Sequence, residues 1–174
     1  MTEVSVFHRH ANLDRYNRVS RWAVAFEDYM LKHWPSGHAV LAGGALRDVY
    51  FGNTVKDVDI FVHSDHKPQL TEAEELSIQE RRSKYDALPV AWIEKRKFLG
   101  YKVEVIYVDY EFEYEDDINE FPRHIIKRFD IGLCKIGYTP EAGVVLSPEF
   151  IFDRDGKLIS IHHETLAAMN MPSG

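Results

Sequence analysis

The chain has 174 residues, 45% of them hydrophobic and 28% charged, with a formal net charge of −7. This is ordinary for one globular domain with enough core to be stable unaided, and the acidic balance argues against a general nucleic-acid binder. The single cysteine, Cys134, excludes an internal disulfide. With no apolar run of signal or membrane-spanning length, it points to the cytoplasm and to no membrane partner.

Positions 13–34 read as an opening helix, with Trp22, Phe26, Tyr29 and Met30 among its apolar positions and Pro35-Ser36-Gly37 as its stop. A short buried strand follows at 38–42, ended by Gly43-Gly44. Positions 45–51 then read as a helix of about two turns, stopped by Gly52-Asn53. The first amides of a helix lack intrahelical acceptors, and its dipole is positive at that end. Glycines there let an anion approach the backbone, so the corner suits a phosphate, with Arg47 on the first turn as a forked donor. The same glycines also fit an ordinary strand-turn-helix corner.

Positions 55–63 read as a strand, Val-Lys-Asp-Val-Asp-Ile-Phe-Val-His. Alternation puts Asp57, Asp59 and Phe61 on one face and Val58, Ile60 and Val62 on the core face. The two carboxylates would then lie about 7 Å apart. At an effective dielectric of about 20 their repulsion is roughly 2 kcal/mol. Magnesium carrying substrate phosphates answers that charge. A solvated edge with Lys56 as partner is the plainer alternative. An EF-hand calcium loop does not fit, because apolar residues fill the places between the carboxylates.

Positions 71–85 read as a helix with an acidic first turn, and 100–109 as another strand. If that strand pairs beside Asp57 and Asp59, Glu104 reaches the same metal and helps deprotonate an attacking hydroxyl. Asp109 competes for the role; Glu104 is preferred because a mid-strand carboxylate is costly unless used. Positions 116–128 read as a helix, with Pro122 as a point where it could split. Positions 131–138, 144–152 and 158–162 read as strands, with Asp153-Arg154-Asp155-Gly156 as the hairpin turn between the last two. The order gives an α+β class with a mixed sheet flanked by helices. One domain covers 1–174, with its core at 38–138 and a C-terminal hairpin region at 144–163.

Three basic clusters, Arg81-Arg82-Lys84, Lys95-Arg96-Lys97 and 123–128, each read first as a solvated face, and the third, which adjoins Asp130, is the one placed to contact an acceptor backbone. Cys134, in an apolar stretch, reads as core rather than as a nucleophile. The histidines have no zinc spacing, and His63 and His66 read as exposed loop residues.

Gly43-Gly44-Ala45-Leu46-Arg47-Asp48, then Gly52, then Lys56-Asp57-Val58-Asp59-Ile60, resembles the head domain of tRNA CCA-adding enzymes and bacterial poly(A) polymerases, of the DNA polymerase beta-like nucleotidyltransferase superfamily. The likeness is tight over 38–63 and loose over 99–109. It implies a nucleotidyltransferase fold and two bound Mg2+ ions, or Mn2+ in their place. It implies Asp57, Asp59 and Glu104 as metal ligands, Gly43, Gly44 and Arg47 on the triphosphate, and a tRNA or other RNA 3′ end as acceptor of a nucleotide such as that of ATP. Asp130, in a stretch that aligns with a further motif of the family, would touch ribose or organise the loop. The helical neck, body and tail regions of those enzymes have no counterpart in these 174 residues, so the comparison is with minimal forms found in phages and toxin systems. A catalytically silent module that binds nucleotide or a protein partner is the alternative. A protein hydroxyl or a small molecule such as an aminoglycoside are the alternative acceptors.

Overall fold

The computed structural model describes residues 3–81 and 88–156. Its helices are α1 (Glu3–Ala23), α2 (Glu27–His33), α3 (Gly44–Tyr50), α4 (Glu72–Arg81), α5 (Glu120–Lys127) and α6 (Pro148–Gly156). Its strands are β1 (Ala39–Ala42), β2 (Asp57–His63), β3 (Val90–Phe98), β4 (Tyr101–Val108), β5 (Ile136–Thr139) and β6 (Gly143–Leu146). The strands form one sheet in the order β3-β4-β2-β1-β5-β6. β2 and β4 run parallel, and every other neighbouring pair is antiparallel. The class is the expected α+β with a mixed sheet flanked by helices.

Both faces of the sheet are covered, because its central strands are apolar on both sides. Leu41, Val58, Ile60, Val62, Val103, Val105 and Tyr107 face a core shared with Val19, Phe26 and Met30 of the N-terminal helices and with Leu46 and Tyr50 of α3. On the other face Val40, Phe61, Ile93, Ile106 and Val108 pack against Ile78 of α4 and against Phe121, Ile125 and Ile126 of α5. Phe61 therefore shares the face of Asp57 and Asp59, as alternation requires, but is fully buried by α5.

Several elements differ from the sequence reading. The opening helix starts by Glu3 and is interrupted by a 3-10 turn at Val24–Phe26. α5 starts at Glu120, so Pro122 sits in its first turn, where the missing amide has no acceptor to lose, and the helix is not split. The Thr71 capping box is formed: Glu74 N donates to Thr71 Oγ1 at 3.2 Å and Thr71 N to Glu74 Oε1 at 3.1 Å.

The expected strand at 131–138 is a strand only from Ile136, because Gly132–Cys134 forms a 3-10 turn. The expected strand at 144–152 stops at Leu146. Ser147 Oγ caps Phe150 N at 3.1 Å, and Pro148 takes the first position of α6. Asp153 to Gly156 are thus the end of a helix and not a hairpin turn. Phe150 and Asp153, three residues apart on one helical face, are both fully buried. The hairpin of this region is β5–β6, which pairs Thr139 with Gly143. The expected strand at 158–162 lies outside the described residues.

Gly137 lets α5 lie close to the sheet. A Cβ there would run into the buried Ile126 side chain and reach 3.3 Å from Val40 Cγ2. Gly137→Val should cost roughly 1–3 kcal/mol through overpacking. A urea midpoint equal to that of the parent protein would mean that α5 docks more loosely than this.

Candidate active site

The face carrying Asp57 and Asp59 is layered across the strands. Its outermost layer pairs Lys97 with Lys102 and Lys102 with Asp57. The next pairs Lys95 with Glu104 and Glu104 with Asp59. One step past the Leu41–Ile60 pair, Ala42 of β1 stands beside Asp59. The third layer is apolar, with Ile93, Ile106, Phe61 and Val40 beneath α5. The helices cover this face only as far as the apolar layers. The charged layers form an open groove of about 510 Å³, lined among others by Asp57, Lys95, Lys97, Lys102 and Glu104.

The parallel register places Glu104 directly beside Asp59 on the same face, the neighbour relation that the sequence could state only as a condition. Asp57 is exposed; Asp59 and Glu104 are half-buried. Asp109 follows the far end of β4, exposed, with its amide bonded to Pro89 O at 2.9 Å. It does not join the row.

Beyond Ala42 the chain turns at Gly43, whose φ of +93° strongly favours glycine. The Gly43 amide donates to Ile136 O at 3.1 Å, which ties the turn to the sheet. Arg47 folds back over this turn, with Nη2 3.4 Å from where a Gly44 Cβ would stand. Its Nη2 also lies 3.2 Å from Asp48 Oδ1, and its Nη1 donates to Cys134 Sγ at 3.3 Å. About a third of the side chain (34%) stays exposed, and with Nε also 3.3 Å from Asp48 Oδ1, an anion at the turn would share the guanidinium with Asp48. Burial pushes the Cys134 thiol up, against the partial offset of Arg47, which makes it a poor nucleophile, though the residue is half-buried at the corner and not part of the core.

Phe129 stacks edge-on to Phe61 at 5.3 Å and comes within 3.8 Å of a Cβ position at Gly43. It closes the boundary between the apolar layers and the turn. The next residue, Asp130, is exposed, and its charge acts on Cys134, so it borders the same corner. Gly43, Gly44, Arg47 and Asp130 thus flank one side of the carboxylate row, and the lysines flank the other.

Among the described residues, no three His, Cys, Asp or Glu side chains are gathered closely enough to hold a metal by themselves. The oxygen donors are nevertheless right for a hard cation. Mg2+ is commonly held by one or two carboxylates together with waters and substrate phosphates, not by an all-protein cage. Asp57 and Asp59, with Glu104 beside them, fit that mode.

His63 is not the exposed loop residue expected. It is 4% exposed, at the opposite end of β2. Its Nε2 donates to Tyr110 O at 2.6 Å and its Nδ1 accepts from Asp65 N at 3.1 Å, so both ring nitrogens are used in structure. His66 Nε2 lies 3.0 Å from His38 Nδ1. Burial, followed by the neighbouring histidines, lowers the pKa of both His38 and His66.

Sequence reasoning missed β3 and with it the lysines that border the groove. The available signal was the period-two spacing of Lys95 and Lys97, opposite that of Lys102 and Glu104. Arg96, between the two lysines, points to the other face. There it donates to Tyr29 Oη at 2.7 Å and Glu94 Oε2 at 2.9 Å. Tyr107, which donates to the same Glu94 oxygen, is pushed up to about 12 by burial and by that carboxylate.

No protein-family model matches the chain, and no curated protein matches it. Among solved structures it is similar to a tRNA-processing enzyme complex at 18% identity and a TM-score of 0.45, covering 78% of this chain and 35% of that one. It is also similar to a tRNA nucleotidyltransferase complexed with a primer tRNA and an incoming ATP analogue, at 18% identity and 0.42, covering 76% and 40%. A Thermotoga maritima CCA-adding enzyme complexed with tRNA matches at 16% identity and 0.42, covering 78% and 30%. The chain thus spans between 30% and 40% of the length of these three structures. At TM-scores below 0.5 the matches decide nothing about its chemistry, which rests on its own residues. No described helix is long and apolar enough to cross a membrane.

Proposed function

We propose that the chain is a Mg2+-dependent nucleotidyltransferase that moves a nucleoside monophosphate from a nucleoside triphosphate to a hydroxyl, with an RNA 3′ end, such as that of a tRNA, as acceptor. The observation that carries this is the register that sets Asp59 beside Glu104, one strand from the Gly43-Gly44 turn.

The turn and Arg47 receive the β- and γ-phosphates, which leaves the α-phosphate over Asp57 and Asp59. Bound Mg2+ would neutralise the phosphate charge and hold attacking and leaving oxygens in line. Asp57 and Asp59 supply the anionic ligands. Glu104 accepts the proton of the acceptor hydroxyl. The oxygen bonds to the α-phosphorus, the bond to the bridging oxygen breaks, and pyrophosphate leaves with that electron pair.

A second reading, a module that binds nucleotide without turnover, has one observation on its side: the three carboxylates do not converge in the described structure. Both readings require metal and nucleotide to bind together, because paired carboxylates and a triphosphate repel each other without a cation. Thermal melting should rise with Mg2+ plus a nucleoside triphosphate by more than the sum of the rises with either alone. Additive shifts for all four nucleotides would remove both readings.

A further inference from the structure

The groove has a side that the nucleotide does not use. Across the strands the order is the Gly43 turn, then Asp57 and Asp59, then Glu104, then Lys95 and Lys97. Lys102 lies on the same face in line with Lys97 and Asp57. Lys95, Lys97 and Lys102 are all exposed. Lys97 and Lys102 are direct cross-strand partners, an arrangement in which like charges destabilise a sheet. Asp57, the other direct neighbour of Lys102, offsets part of that repulsion, and an anion lying over Lys97 and Lys102 relieves the rest. A triphosphate seated at the Gly43 turn, with its α-phosphate over Asp57 and Asp59, stays two strands away from Lys95 and Lys97.

We propose that Lys95, Lys97 and Lys102 form the docking strip for the phosphodiester backbone of a single-stranded nucleic-acid acceptor. The strip rests on the nucleotidyltransferase reading above and adds to it the route by which the acceptor arrives. A chain laid along the lysines brings its terminal hydroxyl to Glu104 from the side opposite the triphosphate. The net charge of −7 does not oppose this, because the charge is segregated along the chain. The acidic stretch 111–117 follows the far end of β4, away from the lysines at the β3–β4 hairpin. The hairpin turns at Leu99 and Gly100, both with positive φ, and Leu99 is 57% exposed at its tip. The strip therefore ends in an open edge along which a strand can run on. Each base could rest on the hairpin without being read, so docking here carries little sequence preference.

The test is equilibrium binding of a 5′-fluorescein 12-nucleotide single-stranded RNA in EDTA, followed by anisotropy across a salt series. It uses the full chain and the variants Lys97→Ala/Lys102→Ala, Lys97→Arg/Lys102→Arg and Lys97→Glu/Lys102→Glu. The alanine pair should weaken binding at least 10-fold at low salt and reduce the slope of log affinity against log salt by about 1.4, or about 0.7 for each phosphate no longer neutralised. The arginine pair should bind within about 3-fold of the parent protein, and the glutamate pair more weakly than the alanine pair; the alanine pair should melt no lower than the parent protein, since it removes the cross-strand repulsion. The Mg2+–nucleotide melting shift should be the same in every variant. Single-stranded DNA of the same sequence tells whether the 2′-hydroxyl adds to the shared phosphate interactions, and poly-glutamate should bind far more weakly than either.

Unchanged affinity and slope in the alanine pair would overturn the strip. So would equal binding of poly-glutamate, or no RNA binding by the parent protein. Loss of the nucleotide shift in the alanine pair would assign the lysines to the triphosphate and overturn it as well. RNA binding in EDTA needs neither metal nor nucleotide, so its failure is distinct from failure of the nucleotidyltransferase reading, which shows as the absence of metal–nucleotide synergy.

Discussion

Asp59→Ala and Asp57→Ala should each reduce nucleotidyl transfer on the order of 10³-fold or more while leaving the fold intact. Metal-borne charge stabilisation is worth several kcal/mol in such a transition state, and about 1.4 kcal/mol corresponds to each tenfold of rate. Neither side chain holds up the core. Asp57 is exposed, and β2 is anchored by Val58, Ile60 and Val62 on its other face and, on the carboxylates' own face, by Phe61 two residues beyond Asp59. Removing one carboxylate also relieves repulsion, so the apo melting temperature should hold or rise slightly. The check is single-turnover transfer set beside thermal denaturation. Loss of activity with a melting temperature lowered by many degrees would mean that these residues act through structure.

Glu104→Ala should cost about 10²- to 10⁴-fold in transfer, the range expected when a general base is removed, whereas Asp109→Ala should change it little. The contrast comes from the register: Glu104 is the parallel neighbour of Asp59, and Asp109 lies past the other end of β4. Glu104→Gln keeps the shape and removes the base, so it should follow the alanine variant. A mild Glu104→Ala and a severe Asp109→Ala would reverse the assignment.

The parts of the site written in local pattern were legible. Alternation in Val-Lys-Asp-Val-Asp-Ile-Phe-Val set the faces of β2, and Gly43-Gly44 marked the turn because little besides glycine adopts φ +93°. Long-range register was not legible. Nothing near Glu104 says that β4 runs parallel to β2, because that pairing depends on a crossover through α4 and β3. β3 itself was hidden by its charges. Lys95-Arg96-Lys97 breaks an apolar run, yet Arg96 belongs to an internal network with Glu94, Tyr29 and Tyr107 while the two lysines face the groove. Over 144–152 an aromatic and β-branched run suggested one continuous strand. The Ser147-Pro148 helix start and the burial of Phe150 and Asp153 on one helical face prevailed.

The central claim is that the carboxylate row is a metal-dependent transfer centre. It is tested most directly by incubating the protein with α-³²P-labelled nucleoside triphosphates and RNA ending in a free 3′-hydroxyl, then resolving the RNA on a denaturing gel. Label should join the RNA 3′ end in Mg2+ with release of pyrophosphate, vanish in EDTA, and vanish for Asp59→Ala. Metal–nucleotide synergy in melting with no label transferred to any RNA, or transfer that persists in Asp59→Ala, would contradict it.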